Sequence, residues 1–193
     1  SQDVQGEVFD YPEEFFKERI HTIRRPKPDD FQIKEAAEII KKSKKPIIIA
    51  GGGIFYSDAT EELSTFATKH NIPVTQTVMG YSSMKRDHSH FLGPIGGLGG
   101  KAANNLAKQT DLAIAIGTKL ADFTTGSWAN FENPNFKLVS INAARFDANK
   151  HMAQAVVGDA KVSLIELSQA LGRWKADDGW YKKSRIELKN WEA

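Results

Sequence analysis

Lys44-Lys45-Pro46-Ile47-Ile48-Ile49-Ala50-Gly51-Gly52-Gly53 is the stretch that decides the fold. Four apolar residues in a row, three of them isoleucine, are too short a run for a typical helix. They suit a strand buried on both faces, as in a parallel sheet. Three glycines follow at once, and Ser57-Asp58-Ala59-Thr60-Glu61 then supplies helix-capping residues, with Asp58 and Glu61 at capping-box spacing. Strand, glycine turn and helix form the opening unit of a doubly wound α/β domain, and its turn is where such folds take phosphates. The dinucleotide pattern is nevertheless incomplete. Gly51 and Gly53 are followed by Tyr56 where a third glycine belongs, and the next strand, Pro73 to Thr77, ends without an acid to hold a ribose. An ordinary NAD site is not expected, and a tight structural turn accounts for the glycines equally well.

Outward from this unit the same rhythm repeats. Asp29-Asp30 predict the cap of a helix with Ile33, Ala36, Ala37 and Ile40 on one face, closed by lysines that complement its dipole. Leu63, Phe66 and Ala67 mark the next helix. Asp111 to Gly117, Lys137 to Asn142 and Ala155 to Val157 read as three further strands, and Leu164, Leu167 and Leu171 as a closing helix. A second glycine-rich segment, Phe91 to Gly100, carries five glycines and leads into a helix with Ala102, Ala103, Leu106 and Ala107. That placement allows close approach by an anionic ligand or a sharp turn. Strand ends put Gly51 to Gly53, Thr77, Gly117, Asn142 and Asp159 along the carboxyl edge of one sheet, the edge at which open α/β sheets bind ligands.

The 193 residues suffice for one sizeable domain. A net charge of +2 points to neither nucleic acid nor an anionic membrane, and no apolar run is long enough to span a bilayer. With no cysteine there is no disulfide, thiolate metal site or cysteine nucleophile, and a reducing, cytoplasmic setting is the expectation. His88 and His90 lie beside Asp87 without further ligands at metal-binding spacing, and no nucleophile–base–orienter set can be assembled, so neither a metal centre nor a stand-alone active site is expected. Residues 1–30, aromatic, charged and interrupted by Pro26 and Pro28, read as an interdomain connector; 31–172 as the domain; 173–193, with Trp174, Trp180 and Trp191, as a second connector.

Lys45 to Gly53, Val74 to Gly80, Phe91-Leu92-Gly93, Lys101 to Asn104, Asp111 to Thr118 and Val157 to Ala160 together resemble the central domain of thiamine-diphosphate-dependent enzymes, a group that includes acetolactate synthase and pyruvate decarboxylase. Tyr11 to Phe16, Ile23 to Pro26, Asp122 to Trp128 and Ile141 to Asp147 are most similar to the branch that hydrolytically opens a cyclic 1,2-dione in myo-inositol breakdown. The resemblance implies a Rossmann-like, mainly parallel sheet with helices on both faces. It also implies a parent enzyme, oligomeric, that holds thiamine diphosphate and Mg2+ between a pyrimidine-binding and a pyrophosphate-binding domain outside this chain. This domain would then be a scaffold without catalytic residues of its own.

The alternative is the FAD-binding module of an acetolactate-synthase-like carboligase. Gly51 to Gly53, Thr77 to Gly80 and Gly99 match that site, whereas Gly97-Leu98, Gly117 to Leu120 and Val139 to Asn142 depart from it and lack its arginine and ribose-binding acid. A nucleotide or smaller phosphate-bearing ligand would be held by Gly51, Gly52, Gly53, Thr77, Met79, Gly99, Gly117, Lys119 and Asn142.

Overall fold

The computed structural model describes residues 2–192. In chain order these form α1 (Gln2–Gly6), a 3-10 turn (Glu13–Phe16), α2 (Asp30–Lys42), β1 (Pro46–Ala50), α3 (Gly53–Tyr56) and α4 (Thr60–His70). Then come β2 (Val74–Gln76), β3 (Phe91–Pro94), α5 (Lys101–Ala107), β4 (Leu112–Ile116), α6 (Asp122–Thr125) and β5 (Lys137–Asn142). The last elements are α7 (Arg145–Ala148), β6 (Gln154–Val157), α8 (Ala160–Leu171) and α9 (Asp178–Glu192).

The six strands make one parallel sheet in the order β3-β2-β1-β4-β5-β6. β1 is its centre, buried along its whole length. Because neighbouring side chains of a strand point to opposite faces, the isoleucine run feeds two cores at once. Ile48 and Ala50 join Ile33, Ile40, Leu63, Phe66 and Leu164 from α2, α4 and α8 on one face. Ile47 and Ile49 join Leu106, Trp180 and Leu188 from α5 and α9 on the other. Burying a side chain of this size contributes about 1.5–3 kcal/mol, so this one strand ties both layers together. The winding reverses between β1 and β4, and there the carboxyl ends of two adjacent strands diverge into a crevice.

Four features differ from the sequence reading. Phe91 to Pro94 is a sixth strand, paired with β2 through a register shift between Val74 and Thr75. Gly93 and Pro94 shorten its apolar run below a recognisable strand signal. The glycine turn opens a one-turn helix, α3, before α4 begins, so Asp58 is not a cap. It sits at φ +51° facing Lys161 at 3.6 Å, and the N-cap position of α4 is Ala59, which offers no side-chain cap. Residues 173–193, expected as a connector, contain α9, which buries Trp180, Ser184 and Leu188 against the domain. The Trp180 indole N–H donates to the Pro46 carbonyl at 2.9 Å. By contrast, residues 2–27 are exposed throughout, and the rings of Phe9, Tyr11, Phe15 and Phe16 stack on one another. The described residues contain no helix long and apolar enough to cross a membrane.

Candidate functional site

The residues that follow β1, β2, β4, β5 and β6 surround a cleft of about 710 Å³ at the switch point. That size lies within the range of small-molecule sites, which favour this position in the fold. Gly52, Gly53, Thr77, Met79, Gly117, Lys119 and Asn142, all expected from the sequence, line it.

The cleft's floor is made by two turns pressed backbone to backbone. The Gly53 N–H donates to the Gly117 carbonyl at 2.9 Å. A Cβ on Gly51 would lie 2.4 Å from the Gly117 oxygen, and one on Gly53 would lie 2.5 Å from Gly117 Cα. Gly117 itself is at φ +61°. The glycines are therefore required by this close approach whether or not a ligand binds. Gly51 lies behind the cleft wall rather than in it.

The remaining walls are fixed by local hydrogen bonds. Thr77 Oγ1 accepts from the Gly80 N–H at 3.0 Å and caps a 3-10 turn that presents Val78 and Met79. Asn142 Nδ2 donates to the Thr118 carbonyl at 3.2 Å, and its Oδ1 accepts from Ala144 N–H at 2.9 Å. The first ties the end of β5 to the loop that follows β4, and the second fixes the turn of the chain after β5. Lys119 is exposed and has no ion-pair partner among the described residues, whereas Asp147, also in the lining, is paired with Lys150 at 2.7 Å. Tyr56, Thr118, Phe123 and Thr124 complete the cleft. The sequence reading did not place them in the site because they stand two to eight residues beyond the strand ends; Thr118, Phe123 and Thr124 were legible only as parts of family-like segments.

Gly99 lies elsewhere. Its Cβ position would be 2.5 Å from the Ile95 carbonyl carbon, so it serves the turn after β3. That second glycine loop is filled from within the chain. Asn104 both accepts from the Gly96 N–H and donates to the Gly96 carbonyl, each at 3.0 Å. The Trp191 ring lies 2.9–3.1 Å from the Cβ position of Gly100 and 3.5 Å from that of Gly93. The approach expected of an external anion there is taken by an indole from α9.

The polar groups that stood out in the sequence have structural partners. Asp159 caps α8, its Oδ1 accepting from Val162 N–H at 3.2 Å and its Oδ2 pairing with Arg25 at 3.2 Å. Both oxygens are engaged. His90 contacts Asn71 Oδ1 at 3.3 Å and Ser89 at 3.0 Å, and its ring packs on Tyr181 at 4.6 Å. Burial, with His88 and Arg185 adding to the effect, pushes the His90 pKa down to about 4. Among the described residues no three His, Asp or Glu side chains converge to hold a metal ion.

Comparison with known proteins places this architecture. Residues 33–167 match the family model described as thiamine pyrophosphate enzyme, central domain. Over 170 residues, 88% of the chain, it is 48% identical to a 3D-(3,5/4)-trihydroxycyclohexane-1,2-dione hydrolase of Clostridium perfringens. It is 43% identical over 99% of its length to the protein of that name from Clostridium tetani, and 45% identical over 88% to one from Bacillus cereus. The matched regions make up 27%, 30% and 26% of those three proteins, so the chain spans less than a third of each relative. With a family match over most of its length and the six-stranded parallel fold to go with it, the chain belongs to the thiamine pyrophosphate enzymes, as their central domain.

Proposed function

We propose that this chain is the central, scaffolding domain of a thiamine-diphosphate-dependent hydrolase that opens the ring of a trihydroxycyclohexane-1,2-dione. The observation that carries the reading is identity of 43–48% over nearly the whole chain to relatives bearing that name. The ylid chemistry that cleaves a carbon–carbon bond belongs to the cofactor, and a protein contributes binding and orientation. Residues 31–172 are read as the scaffold that joins the domains doing so, with Asp159 spending both carboxylate oxygens within the fold. Thiamine diphosphate and Mg2+ are therefore assigned to pyrimidine- and pyrophosphate-binding domains of a longer parent, a cytoplasmic homo-oligomer. The test is turnover of the cyclic dione by full-length parent depleted of cofactor. Activity restored only by thiamine diphosphate with Mg2+ supports the reading; turnover without them, or acetolactate formation from pyruvate instead, overturns it.

The cleft supports a second, compatible role. We assign Gly52, Gly53, Thr77, Met79, Gly117, Lys119 and Asn142 to a site for a phosphate-bearing ligand, on the strength of its position at the switch point and of the Lys119 ammonium, which has no ion-pair partner among the described residues. Gly51 supports the floor from behind, and Gly99 falls outside. A thermal shift with ADP or FAD that disappears in Lys119→Ala supports this role, and no shift with either removes it.

A further inference from the structure

Both ends of the described chain leave the domain at the carboxyl edge of the sheet. On the β6 side, the incoming segment is pinned there. Arg25 donates to the Ser57 carbonyl and pairs with Asp159, the Pro26 carbonyl accepts from Asp159 N–H at 2.8 Å, and Pro28 abuts Gly158. On the β3 side, α9 starts at the amino edge, where Trp180 bonds the Pro46 carbonyl, and runs up to the carboxyl edge, where Trp191 meets Gly100. The cleft lies between these two points, and Ser57, Gly158 and Ala160 line it beside the incoming segment.

The same edge carries a crown of exposed apolar side chains. Tyr56, Val78, Met79, Phe123 and Phe146 are each more than 60% exposed. Tyr56, Val78, Met79 and Phe123 line the one cleft, and apolar surface gathered in this way marks an interaction site. The incoming segment, Val8 to Phe16, is also apolar and aromatic, exposed, and stacked only on itself.

We infer that this crown is an interdomain surface, and that the domain preceding residue 26 in the parent chain docks on it and closes the cleft. This rests on the reading that the chain is the central part of a longer protein. Tethering through Pro26 and Pro28 holds that neighbour beside the crown, so even a modest apolar contact is favoured by the high effective concentration.

Residues 1–193 contain no cysteine, so a thiol introduced there is unique in this chain, and in the parent its labelling is read at the introduced site by peptide mass. Single Met79→Cys and Phe123→Cys variants would be labelled in the 193-residue chain and in full-length parent. Met152→Cys, fully exposed beside the amino edge at the start of β6, is the reference. The expected result is labelling at the two crown positions slowed about tenfold or more in the parent, with Met152→Cys unchanged. Equal rates at the crown in both proteins overturn the inference. Protection that vanishes on dilution assigns the crown to a second copy and overturns it too. So does protection that survives deletion of the preceding domain, because the cover then lies elsewhere. Hydrolase activity is a separate readout. An active parent with an unprotected crown rejects the docking surface alone, and a protected crown without dione hydrolysis rejects only the assigned reaction.

Discussion

The two glycine-rich loops look alike in sequence and have opposite fates in the fold. Gly51 to Gly53 turns at the switch point, backs onto Gly117 and leaves an open cleft in front of it. Gly93 to Gly100 turns one strand beyond β2, at the sheet margin, and its glycines admit Trp191 and the Asn104 side chain. Glycine density marks where the backbone needs space. What occupies that space is decided by strand order and by which distant element is within reach. Here α9 reaches the marginal loop and not the central one.

The largest effect should come from removing the anchor of α9. Trp180 is 4% exposed and hydrogen-bonded through its indole, so Trp180→Ala should cost about 4 kcal/mol, the usual scale for truncating a buried aromatic. The loss should be uneven. Amide exchange should rise first in residues 93–100 and 178–192, while Gly51 to Gly53 keep the protection of the global core. Uniform deprotection would erase the distinction between the loops. Gly51→Ala comes next: a Cβ 2.4 Å from a backbone oxygen forces the two turns apart, at about 3 kcal/mol in urea unfolding. Gly52→Ala is the control. Gly52 is in the right-handed helical region, and its nearest contact would be the Met79 oxygen at 3.1 Å, so the cost should stay below about 1 kcal/mol.

Most of the sheet was legible because parallel strands buried on both faces leave an unbroken apolar signature. Ile47 to Ala50 and Leu112 to Ile116 carry it, and Leu138 to Ile141 carries it with one interruption at Ser140. β3 was illegible because Gly93 and Pro94 occupy half of its four residues. α9 was hidden for a different reason: Trp180, Ser184 and Leu188 repeat at helical spacing, but charged residues and the flanking Asp177-Asp178-Gly179 give the stretch the composition of a linker. The cleft divides likewise. Residues at strand ends, such as Thr77, Gly117 and Asn142, follow from topology, whereas Tyr56 and Phe123 reach the site through one-turn helices whose direction no periodicity encodes.

The α9 side of the comparison also titrates. His70 Nδ1 donates to the Trp174 carbonyl at 2.8 Å, just ahead of α9, and His90 packs on Tyr181 of α9, so both imidazoles sit where the C-terminal segment meets the domain. Burial lowers both pKa values from 6.5, that of His90 to about 4, which means the folded state disfavours their protonation. The unfolded chain then binds more protons over this interval, and stability falls as the pH drops from about 6.5 towards 4. Above 6.5 the contribution is complete. Its size for His90 is of the order of 2 kcal/mol once solvent screening is allowed for. Unfolding midpoints measured between pH 7.5 and 4 should show the decline, and His90→Gln should flatten it. A flat wild-type profile would mean that the joint is not the titrating element.

The smallest effect on stability should fall where the ligand claim is strongest. Lys119 is exposed at the cleft, and its side chain has no hydrogen bond or ion pair among the described residues. Lys119→Ala should therefore leave the urea midpoint within about 0.5 kcal/mol of the parent sequence. An unpartnered ammonium at a cleft of this kind is nevertheless the group a phosphate would meet first. Affinity for an ADP probe should fall about fivefold to tenfold, the loss of one charge-assisted hydrogen bond, and more so at low salt, where screening is weakest. Unchanged ADP affinity with unchanged stability would make Lys119 a solvated surface charge and reduce the cleft to the space that two close-packed turns leave in front of them.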